Sequence, residues 1–228
     1  DWGLDAGVVA LANPLSAELA VMRTALLPGL VSALARNTAR QQARVRLFEV
    51  GKAFSAGEPG QAPKETLRIA AAACGAATAE QWGAASRPVG FHDLKGDLES
   101  LAAVSGATLA FRPAAPSWGH PGRSAEVVRV DGERPMTLGW IAQLHPRLQR
   151  KLDVDAEVVA FELDLEPLLA RRLPRAGALS RYPSVRRDLA FVVADTVAWG
   201  ELERVVRANA GPSLRDLVLF DVYHGKGV

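Results

Sequence analysis

Residues 161–167 read Phe-Glu-Leu-Asp-Leu-Glu-Pro. In an extended chain the alternation puts Glu162, Asp164 and Glu166 on one side and Phe161, Leu163 and Leu165 on the other. Three carboxylates in such a row suit a divalent cation or acid–base chemistry. The same pattern suits the solvated face of a strand, or the remnant of a site that has lost its chemistry. Strand alternation explains the acids without a metal, so no metal site is assigned to them.

Other reactive residue types are scattered. The four histidines are His92, His120, His145 and His224, and none has the spacing of a zinc site. His145 precedes Pro146 at a helix start, which points to a cap or turn. There is no nucleophile elbow, phosphate-binding loop or dinucleotide fingerprint, and the terminal Gly-Lys-Gly-Val is too short to act as one. Serine, histidine and aspartate occur without the spacing of a triad, so no catalytic residue is assigned. Cys74 is the single cysteine and lies in an apolar run, as a buried small residue does. One cysteine excludes an internal disulfide framework and fits a reducing cytoplasm.

Six arginines fall between 171 and 187, with no acid before Asp188. With Tyr182 and Trp199 nearby they fit contact to an RNA backbone beside an aromatic platform. A solvated linker pinned by Pro183 has the same composition.

The elements that must position these residues follow from periodicity. Leu26, Leu27, Leu30, Val31 and Leu34 have helical spacing, with Pro28 in the first turn, which predicts a helix over 26–40. Arg36, Arg40 and Arg44 lie off its apolar stripe. Residues 45–51 predict a strand ending at Gly51, and residues 66–75 a second. Residues 91–106 predict a helix with Leu94, Leu98 and Leu101 on one face and Gly106 as its stop. A short strand at 109–113 precedes a Pro/Gly-rich loop over 115–123 and a hairpin over 124–144 turning at Asp131-Gly132. A short helix begins after His145, and residues 157–168 predict a long strand. After a Pro- and Arg-rich passage come a strand at 188–194, a helix at 197–211 with Leu202, Val205 and Val206 on its apolar face, and a strand at 214–223.

Hydrophobic residues at 49% and charged residues at 23% are ordinary for a water-soluble globular chain, and a net charge of +2 implies no polyanion by itself. No stretch suits a bilayer span, so no membrane partner is expected. The chain opens on Asp1 and stops in a Gly-rich turn, and both ends are expected to be cuts in a longer polypeptide.

Several segments together resemble the β subunit of bacterial phenylalanyl-tRNA synthetase. In order they are NPLSAELAVMRTALLPGL, VRLFEVGKAF, FHDLKGDLESL, HPGRSAEV, LGWIAQLHPRL, AFELDLEPL, SRYPSVRRDLAFVV and LFDVYHGKG, spanning nearly the whole chain. The resemblance implies an α+β fold: a class II synthetase-like antiparallel sheet flanked by helices, catalytically inactive, over 1–172; a linker over 173–179; and over 180–228 the N-terminal half, β-α-β, of a ferredoxin-like anticodon-binding domain. It implies a catalytic α subunit in an (αβ)₂ heterotetramer, tRNA as a second partner, and ATP with Mg²⁺ for the whole enzyme but no cofactor in this fragment. The helix at 26–40 and the strand at 44–51 are the expected contacts with α.

The third signature motif of the active subunit resembles A-F-G-x-G-x-E-R-L. Aligned on it, Glu162 and Asp164 stand where glycines admit the nucleotide, and Pro167 stands where an arginine meets the phosphates. Acids there repel a triphosphate, and proline offers it no charge. At the second motif, an arginine is expected two places before Glu49, where Leu47 stands. Arg46 is one place off, on the opposite strand face. Asp93, Lys95, Gly96 and Glu126 match positions of the active subunit and are expected to maintain the fold. The resemblance thus answers the opening question with a decayed nucleotide motif, and places the tRNA contacts at Arg181, Arg186 and Arg187 by charge and at Tyr182 by packing or stacking. The rival is a stand-alone regulatory or small-molecule-binding paralogue on the same fold, which a stop codon after Val228 would favour.

Overall fold

Six strands form one antiparallel sheet in the order β1-β2-β6-β5-β4-β3. They are β1 (Val45–Ser55), β2 (Lys64–Cys74), β3 (Leu109–Pro113), β4 (Gly119–Arg129), β5 (Met136–Leu144) and β6 (Val158–Asp164). The helices are α1 (Leu27–Thr38), α2 (Phe91–Ser105), α3 (Pro146–Lys151), α4 (Leu165–Leu169) and α5 (Trp199–Asn209). The computed structural model describes residues 2–4, 7–16, 20–58, 61–171 and 181–225. It divides into two compact units, Asp1–Pro174 and Arg175–Val228.

In the first unit both faces of the sheet are covered. Leu27, Leu30, Val31 and Leu34 of α1, with Leu148 of α3, pack on Ala70, Ala72, Val158 and Ala160. Alanines on the sheet let the helix approach closely, and each fully buried leucine contributes roughly 1.5–3 kcal/mol. The opposite face holds Leu94 and Leu98 of α2 and Leu165 and Leu168 of α4 against Ile69, Ile141, Val159, Phe161 and Leu163. Between these layers runs β6, buried at every residue from Val158 to Leu163.

α2 starts with half of a capping box: the Asp93 carboxylate accepts from Gly90 N at 2.8 Å, and glycine has no side chain to return the bond. It ends at Gly106, φ 76°, in the left-handed conformation that glycine adopts without strain. At Gly139, φ 152°, a Cβ would overlap the Glu162 carbonyl, so the β5–β6 approach requires glycine.

Several boundaries differ from expectation. β1 continues past Gly51 to Ser55 because β2 supplies partners as far as Lys64. β4 starts at Gly119, so Gly-His-Pro-Gly-Arg, the end of the stretch expected as loop, lies within a strand whose register shifts between Gly119 and Ser124. α1 stops at Thr38, two residues before Arg40. The stretch 161–167 is not one strand: β6 ends at Asp164 and Leu165 opens α4, with Pro167 in its first turn, where its missing N–H costs nothing.

The second unit contributes α5, none of whose residues is buried. Residues 188–194 and 214–223, expected as strands, form no ladder among the described residues. A strand is defined by inter-strand hydrogen bonds, and these segments make none among the described residues, where Phe191, Val193 and Phe220 are exposed. The expected linker over 173–179 lies outside the described residues.

Candidate functional site

On the α1 side of the sheet a cleft of about 310 Å³ is lined by Leu27, Trp118, Trp140, Arg68, Glu162 and Asp164, among others. Two of the acids singled out from sequence therefore share one cavity wall. They are not a free acidic face. Glu162 is only 8% exposed. Its Oε2 accepts from Leu26 N at 3.0 Å and Leu27 N at 2.9 Å, and its Oε1 from Arg68 Nη1 at 2.9 Å. Arg68 Nε also donates to Asp164 Oδ1 at 3.0 Å.

This arrangement has a local cause. The N-cap residue of α1 is Leu26, which has no side-chain acceptor, and Pro28 has no N–H to satisfy. The exposed backbone donors and the positive end of the helix dipole are met by a carboxylate from β6. Arg68 is the sole cation lining the cleft among the described residues, and two carboxylates compensate it. The cleft consequently does not fit a magnesium-bound triphosphate: it has no uncompensated cation for the phosphates, and one of its acids is already spent on the protein.

Pro167, aligned with the arginine of the active subunit's third motif, presents its carbonyl oxygen, which accepts from Arg129 Nη1 at 2.7 Å. The same nitrogen reaches Ala170 O, so Arg129 clamps the short helix α4. Its guanidinium pairs with Asp131, and that hydrogen bond holds the Asp131 carboxyl well below the usual carboxylate range. Glu166 lies in the first turn of α4 and is exposed.

The residues expected to maintain the fold behave differently from one another. Asp93 caps α2 and pairs with Arg87, whose hydrogen bond lowers its pKa to about 2. Lys95 pairs with Glu99 and sits over the Phe111 ring. Glu126 accepts from Thr137 at 2.8 Å, while Gly96 faces open space. His145 is the N-cap of α3, its Nδ1 accepting from Arg147 N at 3.2 Å. Cys74 is buried in β2, and burial raises its thiol pKa.

Sequence patterns missed Arg68 and Arg129. Arg68 precedes the apolar run Ile69–Cys74 of β2 and Arg129 follows Val127-Val128 at the end of β4, which is the available signal: a cation beside buried apolar residues needs an acid or carbonyl partner. Arg181, Tyr182, Arg186 and Arg187 are all exposed in the second unit. Arg186 Nε lies 3.6 Å from Asp188, so part of its charge is compensated nearby.

Comparison with known proteins follows the same division of the chain. The family model described as phenylalanyl tRNA synthetase beta chain CLM domain matches residues 4–165, and that described as ferredoxin-fold anticodon binding domain matches residues 180–228. The chain is 62% identical over 227 residues to the phenylalanine–tRNA ligase beta subunit of Xanthomonas campestris pv. campestris, covering 100% of this chain and 28% of that protein. It is 61% identical over 228 residues to the protein of that name from Xylella fastidiosa strain Temecula1, again covering 100% of this chain and 28% of that protein. The chain thus spans about 28% of the length of the curated relatives it matches. Two family matches in sequence order and identity along the whole chain establish that it belongs to the phenylalanyl-tRNA synthetase beta-chain family.

Proposed function

We propose that this chain is a non-catalytic part of phenylalanine–tRNA ligase, supporting a catalytic α subunit and contacting tRNA while the whole enzyme joins phenylalanine to its tRNA. ATP and Mg²⁺ supply the activation chemistry in that enzyme, in an (αβ)₂ assembly in the cytoplasm. Residues 1–172 form the inactive synthetase-like core, 173–179 the linker and 180–228 the anticodon-binding portion. The family matches at 4–165 and 180–228 support that division.

The observation that carries the non-catalytic assignment is the state of Glu162. Its carboxylate is committed to Leu26 N, Leu27 N and Arg68, so the cleft offers no uncompensated cation to the phosphates of a nucleotide. Phenylalanine-dependent pyrophosphate exchange by the 228-residue chain should be absent, and calorimetric titration with Mg·ATP should give no saturable heat. Saturable binding would hand the assignment to the stand-alone paralogue.

Contact with the α subunit is assigned to α1 and β1. The support is that β1 is an edge strand with Phe48 75% and Val50 48% exposed, an apolar strip that a partner would cover. Contact with tRNA is assigned to Arg181, Arg186 and Arg187, with Tyr182 packing or stacking beside them. In the whole enzyme, replacing the three arginines by alanine should flatten the slope of log Kd against log salt by about 2–3, at 0.7–0.9 per neutralised phosphate. An unchanged slope removes them from the interface.

A further inference from the structure

We propose that the first unit carries an RNA-contacting surface of its own, in which Arg36, Arg40 and Arg44 meet phosphates and Trp82 stacks on an unpaired base. Between Glu18 and Glu49 the chain has five arginines and no acid. Arg23 pairs with Glu49. The other four, Arg36, Arg40, Arg44 and Arg46, fall in the stretch that ends α1 and opens β1. Much of their charge is held in place without being cancelled. Arg44 donates to Ala76 O at 3.1 Å and Ala77 O at 3.4 Å, and Arg46 to Ala77 O at 3.0 Å. Carbonyl oxygens orient a guanidinium and leave its charge intact. Arg46 also reaches an acid, Asp97, at 3.3 Å. Arg36, Arg40 and Arg44 are exposed and meet no carboxylate among the described residues. Arg36, in the last turn of α1, suits the negative end of the helix dipole. That effect fades within a turn and gives no reason for Arg44.

Trp82 is a separate observation. It is fully exposed, on a loop closed at its base by hydrogen bonds from Ala77 N to Arg87 O at 2.8 Å and from Val89 N to Gly75 O at 2.9 Å. The carbonyls that hold Arg44 and Arg46 form one side of that base. Five residues separate Trp82 from Ala77, a reach of at most about 18 Å. Its loop neighbours Glu80, Gln81, Gly83, Ala84 and Ala85 are polar or small, so the ring is not part of an apolar patch that a protein partner would cover. A bare indole on a braced loop tied to exposed arginines suits RNA, with phosphates on the guanidinium groups and a base on the aromatic face. Of the acids tied to this surface, Asp93 is taken by Arg87 and Asp97 by Arg46. Glu80 remains in the loop, against three exposed arginines. The inference rests on tRNA being a partner of the enzyme, and its residues are separate in the chain from Arg181, Arg186 and Arg187.

Fluorescence anisotropy of labelled phenylalanine tRNA, titrated with the whole enzyme across a salt series, reads the result. The double variant Arg36→Ala/Arg40→Ala should flatten the slope of log Kd against log salt by about 1.5–2, at 0.7–0.9 per phosphate. Adding Arg44→Ala should flatten it further, but Arg44 also braces the loop, so the double variant is the deciding one. Trp82→Ala should weaken binding by roughly 5- to 150-fold with little change in slope, and Trp82→Phe should keep most of the affinity. An unchanged slope in the double variant overturns the proposal, as does an unchanged affinity in Trp82→Ala. If the slope responds only to replacement of Arg181, Arg186 and Arg187, this surface is struck out and the proposed function stands. If the slope responds to Arg36 and Arg40 but not to those three, this surface stands and the earlier placement of the tRNA contact falls. An enzyme that binds no tRNA overturns both. Loss of the α subunit from the double variant, with the tRNA slope of the remaining assembly unchanged, would give the arginines to a protein contact and overturn the proposal.

Discussion

Two phenylalanines show how differently the two units use similar sequence. Phe161 in β6 is 5% exposed, and Phe220 in the second unit is 64% exposed. Both lie in stretches whose composition calls for a strand. Likewise α1 buries Leu27, Leu30, Val31 and Leu34, whereas α5 buries nothing despite its apolar stripe. Periodicity states which face wants cover. It does not supply the cover, and within the described residues only the first unit does. A helix of 11 residues without tertiary packing is marginal in water, and the Glu203–Arg207 pair of α5 adds only about 0.3–0.5 kcal/mol.

The largest effect expected from that difference is in amide hydrogen exchange of the 228-residue chain. Amides of β2 and β6, central in the sheet, should exchange only through global opening, slowed by about 10³-fold or more. Those of α5 should exchange at nearly free-peptide rates. Mass-spectrometric exchange showing α5 as slow as β6 would break the comparison, and would mean that α5 packs far better than its exposure indicates.

Substitutions sharpen the contrast further. Phe161→Ala should cost about 3–5 kcal/mol in chemical denaturation, as expected for an aromatic lost from a packed core. Phe220→Ala should fall within about 0.5 kcal/mol of the parent. The glycines divide in the same way. Gly139→Ala forces a Cβ into the Glu162 carbonyl at φ 152° and should destabilise by about 2 kcal/mol or more. Gly200, in the first turn of α5, has open space where a Cβ would stand, with nothing within 4 Å, so Gly200→Ala should raise local helicity by about 0.5–1 kcal/mol, measured by circular dichroism. A costly Phe220→Ala or a harmless Gly139→Ala would undo the argument.

The same comparison explains what could be seen in the sequence. α2 was legible from its leucine spacing and Gly106, the β4–β5 hairpin from its turn at Asp131-Gly132, and the α3 cap from His145-Pro146, because all are local. The motif around Glu162 was legible only in part. Alternation located β6 and its two faces, but in a central strand both faces are covered, so the polar face was buried rather than wet. Its meaning depended on Arg68, 94 residues away, and on the backbone of α1, 135 residues away; no local pattern carries either. The segments on either side of α5 form no ladder among the described residues for the converse reason: the residues have strand character, but pairing is a property of neighbours.

The smallest effect concerns ion pairs. Asp93 has a pKa lowered to about 2, first by the Arg87 hydrogen bond and also by Gly90 N. An unfolded aspartate titrates near about 3.9. A depressed carboxylate pKa contributes stability that is present above the unfolded value and lost as pH falls toward the folded one, so this contribution should fade between about pH 4 and pH 2. The exposed Arg186–Asp188 pair at 3.6 Å is of the kind that contributes almost nothing. Arg87→Ala should therefore raise the Asp93 pKa toward the ordinary range, read by carboxyl NMR titration, and flatten the acid end of the Tm profile. The flattening will be partial, because Gly90 N still binds Asp93, and because Asp131, held below the usual range by Arg129, continues to titrate on the same side. Arg186→Ala should leave the acid profile superimposable on the parent. If Arg87→Ala did so as well, the α2 cap alone would account for the Asp93 shift, and the two units would differ in packing but not in their ion pairs.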